Sequence, residues 1–414
     1  MILLICMTLV AFSMSNSMLF EQKTSANQYR STKAFEAAEA GIEWATAMLN
    51  DVHYINTSCT AVTSGSTQSF REKYLPYNAT GFSPVSTAQP GCSISTASGL
   101  PVLSCSCPDA GDNPSLNSTT NPTFTVKFEP VNAMTSPNAT SSNQSVLVTA
   151  YGCTSADVRC VPGATSSADA YQMISVILKL RPALAAVPGA AISTGGSLIW
   201  GSSASEIINT DPSSNGVLVN AGGTCCGSKN YTATTLPGSP IENAIVTGDS
   251  SLSALSSSQD AMFEAFFGTT VAQFKADTNT KVLTAAICGS NCEAAFLAAY
   301  AGADGTAYRA FYLEADMHVS SGTIGTQAKP VILATSANLR FNGGTEVWGL
   351  IYADTAVSWE PTGNGKGSLH GALVTRGSFS PNANVDYIYD ADVLGQLRPS
   401  TGTLMRVPGS WKDF

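Results

Sequence analysis

Ala34-Phe35-Glu36-Ala37-Ala38-Glu39-Ala40-Gly41-Ile42 decides the reading of this chain, through what stands before and after it. Phe35, Ala38, Ile42, Ala45 and Leu49 recur at alternating spacings of three and four, which puts them on one face of a helix. Glu36, Glu39 and Glu43 lie off that stripe. Upstream, Met1 to Phe20 contains no Asp, Glu, Lys, Arg or His; Glu21 is the first charge and Lys23 the second. No proline precedes Pro76, so nothing breaks a helix before it. About 20 residues at roughly 1.5 Å each span about 30 Å, one hydrocarbon thickness. Residues 1–50 are therefore expected to form a transmembrane helix that continues as a soluble, amphipathic one.

Two ordinary readings compete. Ser15-Asn16-Ser17 offers a small-residue site for removal of a secretory signal, but no Lys or Arg precedes the apolar core, as signal peptides require. The other is a plain anchor on an exported domain. The stretch from Ala34 to Ile42 favours a third. It resembles the segment that follows the membrane helix in PilX-type minor pilins of type IV pili, which has the form Ala-Phe-x-Ala-Ala-Glu-Ala-Gly-Leu. Glu21-Gln22 stands where that family has an acidic pair near the membrane exit. Val407-Pro408-Gly409-Ser410-Trp411-Lys412-Asp413-Phe414 is similar to the ending of large PilX-like proteins. The chain departs from the family in two ways. Pilins are cut after a Gly behind a basic leader, whereas no Gly occurs here before Gly41, so the expected true start lies upstream of Met1. Most pilins also carry a glutamate early in the mature helix, and this apolar run has no acid.

The resemblance implies a structural subunit without turnover, catalytic residues, cofactor or metal. It implies residence in the inner membrane of a Gram-negative bacterium, then in the extracellular pilus, at or near its tip. The implied roles are priming of assembly and support of twitching motility or adhesion. The implied partners are other pilins and minor pilins, the inner-membrane assembly platform, a tip adhesin and the membrane itself. Phe35, Ala38, Ile42, Ala45 and Leu49 become the helix-packing set of the filament, as well as the face laid on the subunit's own sheet.

Composition agrees with export. Charged residues make up only 12% of the chain, with Ser, Thr, Asn, Gly and Ala in their place. A net charge of −9 without a basic cluster argues against nucleic acid as a main partner. Beyond Cys6 the cysteines are Cys59, Cys92, Cys105, Cys107, Cys153, Cys160, Cys225, Cys226, Cys288 and Cys292, an even set suited to disulfides. Cys153 and Cys160 flank a short polar loop between strand-like runs and are expected to pair. Cys288 and Cys292 pair either with each other or with Cys225 and Cys226. Zinc is not expected, since His53, His318 and His370 are not spaced as ligands. Asn56, Asn78, Asn117, Asn138, Asn143 and Asn230 sit in Asn-x-Ser/Thr triplets, which arise by chance in so Ser/Thr/Asn-rich a chain.

Three domains are expected, in an α+β and mainly β class. After the helix at 1–50, residues 51–182 form a disulfide-tied antiparallel domain. It begins with irregular loops from Asp51 to about Thr120. Strand-like runs follow at Thr123–Glu129, Ser145–Tyr151 and Tyr171–Leu180, the last with a clear period of two. Pro182 to Pro188 reads as a linker. Residues 183–414 then show segments at Val331–Phe341, Leu350–Trp359 and Ala372–Phe379, each opening with three apolar residues and then alternating. Gly349 and Gly371 precede the second and third. A period of about 20 residues points to a parallel β-solenoid, with a β-sandwich as the alternative. Ala191–Trp200 and Phe311–Val319 fit two more rungs. A helical insertion near 258–301 is expected to cover the side or cap an end.

Solenoids also carry polysaccharide-active enzymes. Glu314, Asp316, Asp354 and His318 are the candidates for such chemistry, and solvated outward residues are the ordinary reading. Ala303-Asp304-Gly305-Thr306 is a turn too short for a calcium loop. Trp348, Tyr352 and Trp359 are candidates for sugar stacking or for core. A membrane-anchored polysaccharide enzyme and a free-standing surface adhesin are the alternatives to the pilin reading.

Overall fold

The computed structural model describes residues 2–78, 81–97, 99–116, 118–131, 144–200, 205–227, 231–354, 357–360, 365–381 and 384–413. The chain opens with one helix, Ile2–Leu49, of 48 residues. Among the described residues no helix is long and apolar enough to cross a membrane. Most side chains of the apolar run expected to do so, Cys6 included, lie outside the described part.

The end of this helix lies on a seven-stranded antiparallel sheet. The spatial order is Thr403–Arg406, Tyr171–Arg181, Ser145–Cys153, Thr123–Pro130, Gly91–Ser95, Val102–Ser106. Ala34, Ala38, Ile42, Ala45 and Leu49 are fully buried. The last four meet Phe124, Val126, Phe128, Val146, Val148, Ala150, Ile174 and Val176 in one core. Each large side chain buried here contributes about 1.5–3 kcal/mol. Glycine sets the approach of helix to sheet. A Cβ on Gly152 would stand 2.2 Å from the carbonyl oxygen of Ala34 and 2.3 Å from the amide nitrogen of Ala38.

Three sequence expectations need correction. The stretch 51–120 is not only loop: the hairpin Gly91–Ser95 and Val102–Ser106 extends the sheet, tied across by Cys92–Cys105. Its serines and cysteines hide the period of two. The run Pro182–Pro188 is no free linker, because Leu184 is fully buried and the amides of Ala185 and Ala186 both donate to the Phe266 carbonyl. Residues 403–413 do not belong with the second unit. Thr403–Arg406 and Lys412–Asp413 both pair antiparallel with Tyr171–Arg181. The chain thus leaves this sheet at Arg181 and returns to the same strand at Thr403, with everything between inserted.

The inserted part is parallel. One ladder runs in space through Thr280–Leu283, Ala310–Leu313, Val331–Thr335, Glu346–Ala353, Gly367–Thr375, Ile192–Thr194, Val219–Ala221 and Ile245–Val246. A second joins Met317–Val319, Leu339–Asn342 and Val357–Glu360. It is carried on by bridges from Leu198 to Phe379 and to Cys225. A third passes through Thr323–Ile324, Glu346–Ala353, Gly367–Thr375, Val385–Tyr389, Ser205–Ile208 and Tyr231–Thr234. Chain order and spatial order differ. Residues 192–246 build outward from the middle, and the chain then crosses to the far end at Thr280 and builds back. At about 4.8 Å per strand the first ladder is roughly 35 Å long.

The helices Gln259–Phe267 and Val271–Ala276 make this crossing along the ladder's side. Phe263 and Phe267 meet Tyr352 with ring centroids 5.1 and 5.6 Å away. Farther on, Glu293–Tyr300 sets Phe296 edge-on against Phe311 at 4.7 Å.

A small third core gathers around Cys153–Cys160. Asp157 is buried there. It accepts from the Arg159 Nε at 2.9 Å and from the Ala168 amide at 2.8 Å. The Arg159 hydrogen bond first, then the backbone amides, hold its carboxyl well below the usual range. A depressed folded pKa stabilises the fold above the unfolded value, near 4, and that contribution is lost as pH falls further. Asp157→Asn should therefore show a smaller drop in melting temperature than wild type between about pH 5 and about pH 2. An identical drop in both would refute the assignment.

Candidate functional site: the N-terminal helix

The long helix has two segments with different surroundings. From Ser17 through Arg30 its side chains are exposed. Met18, Leu19, Phe20 and Tyr29 are large apolar groups turned to solvent here, with Phe20 at 71% exposure. So many bare apolar groups on one rod mark a surface made to be covered. The contact with the body begins at Arg30, whose Nε lies 3.4 Å from Asp169 Oδ2, and at Ser31, which accepts from Gln172 Nε2 at 3.0 Å. From Ala34 onward the inner face is buried.

This division corrects the assignment of the packing stripe to neighbouring helices. Ala38, Ile42, Ala45 and Leu49 are fully covered by the subunit's own sheet and have no surface left for another chain. Phe35 is half-buried, its ring 6.5 Å from Trp411. Period alone reports which residues share a face, whereas the partner of that face is a tertiary fact. The groups free to meet another helix lie earlier, around Met18, Phe20 and Tyr29. The absence of charge from Met1 to Phe20 was the signal for that part.

The helix end is locked by a residue the sequence did not single out. Arg71, in the short helix Phe70–Tyr74, is buried. A capping box between Ser69 and Glu72 starts this helix and fixes where Arg71 points. Its Nε donates to the Leu49 carbonyl at 2.7 Å and its Nη1 to the Gly402 carbonyl at 2.7 Å. Asn50 completes the knot: its Oδ1 accepts from Arg71 Nη2 at 3.2 Å and from the Leu404 amide at 2.7 Å. Burial lowers the Arg71 pKa, while the charges of Tyr77, Asp277 and Glu72 pull it back up. On the outer side, Arg406 pairs with Glu43.

The cysteines form five disulfides among the described residues: Cys59–Cys107, Cys92–Cys105, Cys153–Cys160, Cys225–Cys226 and Cys288–Cys292. Of the alternatives open at Cys288 and Cys292, the structure has the local pair.

The carboxylates considered for catalysis are each held by a separate partner. Glu314 meets Lys275 at 2.7 Å, and Asp316 accepts from the Asn338 amide at 3.0 Å. Asp354 pairs with Arg376, and His318 Nε2 lies 2.8 Å from Asn342 Oδ1. Among the described residues no His, Cys, Asp and Glu side chains gather as a metal site. Tyr352 is core, whereas Trp348 is half-exposed and stacks on His370 at 3.9 Å. The Trp359 side chain lies outside the described part, as do Asn117, Asn138, Asn143 and Asn230. Asp304 bonds Lys281 at 3.2 Å and Thr306 within its turn.

Comparison with known proteins bears on the helix. Residues 1–43 match the PilX N-terminal family. Among solved structures the chain is similar to the competence-associated pilin ComZ from Thermus thermophilus, at 12% identity and a TM-score of 0.25, over 93% of this chain and 97% of that one. No curated protein matches the chain. The Ala34–Ile42 stretch lies inside the matched segment, so the likeness to the PilX N-terminal family rests on the N-terminal helix.

Proposed function

We propose that this chain is a minor subunit of a type IV pilus. Its first helical segment holds the subunit in the inner membrane before assembly and packs among pilin helices afterwards. The observation that carries the reading is the bare stretch from Ser17 to Arg30, ahead of a helix end buried in its own domain. A rod with one bare segment and one anchored segment is what insertion into a helical bundle requires.

The parallel ladders are read as rungs of a β-solenoid inserted into the pilin sheet. The stacked registers Ala310–Ile332–Leu350–Ala372 support this, since successive turns of chain lie directly over one another. A side body of this size would be hard to fit at every position of a fibre, which favours the tip. Priming of assembly, with adhesion or twitching as the readout, follows from that position. The partners are then other minor pilins, the assembly platform and a tip adhesin.

Deletion of the chain in its native host, with surface pili counted by electron microscopy, tests the reading. Loss of pili, restored by wild type but not by Phe20→Asp, is expected. Normal pili with attachment lost would point to an adhesin instead. Normal pili and normal attachment would sink the proposal.

A further inference from the structure

A cavity of about 340 Å³ opens where the antiparallel sheet meets the inserted stack. Leu180 and Gln144 come to it from the sheet, Val187 from the connecting run, and Ser213 and Tyr389 from the stack. Arg398, on the helix Ala391–Thr401, completes the wall and is the only charged residue lining it among the described residues. Tyr389 spends its hydroxyl on the Pro188 carbonyl at 2.9 Å, so its ring rather than its polar tip faces a ligand.

Arg398 is the unusual member. Its Nε is buried and has no hydrogen-bond partner. Among the described residues no carboxylate pairs with it, whereas Arg71, in the short helix Phe70–Tyr74, gives its Nε and Nη1 to carbonyls. That nitrogen is sealed from the cavity, so an occupant would meet the guanidinium at its terminal nitrogens. One planar cation, the Gln144 amide, and an apolar floor of Leu180 and Val187 define an occupant's chemistry, the Ser213 hydroxyl being spent on Asp211 at 2.7 Å. Arginine matches a carboxylate through two parallel hydrogen bonds. A doubly charged phosphate would find only one cation here. The volume suits a small molecule held in a half-open cleft.

We propose that this cavity binds a monocarboxylate with a short apolar body, its carboxylate on Arg398 and its body against Leu180 and Val187. Two sources supply that chemistry: a free organic acid, or the C-terminal carboxylate of a peptide chain. Because the walls come from both units, an occupant would also fasten the stack to the sheet.

Isothermal titration of the full chain in detergent, with butyrate and with N-acetyl-dialanine, tests the site. Saturable one-to-one binding of at least one is expected, weakened about tenfold or more when the acid is replaced by its amide, as loss of a charged hydrogen bond requires. Arg398→Gln should weaken binding to the same degree while leaving the melting temperature unchanged, since Arg398 supports no other group. Ser213→Phe, an exposed change at the rim, should block binding by bulk if Arg398→Gln does not fold. The tighter of the two probes names the source. No saturation by either probe, equal binding of the amides, or binding unaffected by the substitutions would overturn the proposal.

Discussion

Gly349→Ala is expected to unfold the middle of the parallel stack. Gly349 sits at φ +149°, and a Cβ there would lie 1.9 Å from the Val331 carbonyl oxygen. Gly371, its partner on the next strand, is at φ +136° with the same 1.9 Å approach to the Gly349 carbonyl. The two glycines form a column at which each strand presses its backbone onto the one beside it. An L-residue meets a backbone conformation it avoids and a ladder that cannot widen at one point without breaking registry. Strain and overpacking together should cost about 2–5 kcal/mol, against a total of about 5–15 kcal/mol for a typical domain. Hydrogen exchange should show lost protection at Ile332–Thr335 and Ala372–Thr375, with the antiparallel sheet still protected. Gly377→Ala is the control, because a Cβ at Gly377 meets nothing within 4 Å. Equal protection in wild type and Gly349→Ala would refute the column argument.

Arg71→Met should be nearly as damaging, at the junction of the long helix and the return strand. The substitution keeps the apolar stem and removes the fork. It leaves the Leu49 and Gly402 carbonyls buried without their donors, at about 1–3 kcal/mol each. Three pieces of chain distant in sequence lose their common fastening: the end of the long helix, the short helix at 70–74, and the return strand at Thr403. Arg71→Lys should recover less than half of the loss, since one ammonium cannot reach carbonyls on both sides. Thermal unfolding of the full chain in detergent gives the magnitude. A loss below about 1 kcal/mol for Arg71→Met would mean that water replaces the guanidinium and the knot is not structural.

Much of this molecule was legible in its residues. The charge-free run and the stripe from Ala38 to Leu49 located the long helix, because a period of 3.6 needs only local sequence to be seen. Ile174, Val176, Leu178 and Leu180 revealed their strand by a period of two, and Val331, Leu350 and Ala372 marked three strands of the parallel ladder by repetition. Those patterns arise wherever one face of an element must be apolar, whatever covers it.

What covers each face was decided only by the tertiary structure. The stripe that could have met a neighbouring helix is closed off by the subunit's own strands, since Gly152 lets the backbone come within contact of Ala34 and Ala38. The return of Thr403–Arg406 to the strand it left at Arg181 joins residues whose separation carries no local signal. The same holds where Ile192 pairs with Leu373, so that the order of strands in space differs from their order in the chain. Arg71 and Arg398 are ordinary arginines in sequence, one sealed against carbonyls and the other left open on a cavity. Local periodicity determined which elements exist; long-range strand pairing and the need to satisfy buried polar groups determined how they meet.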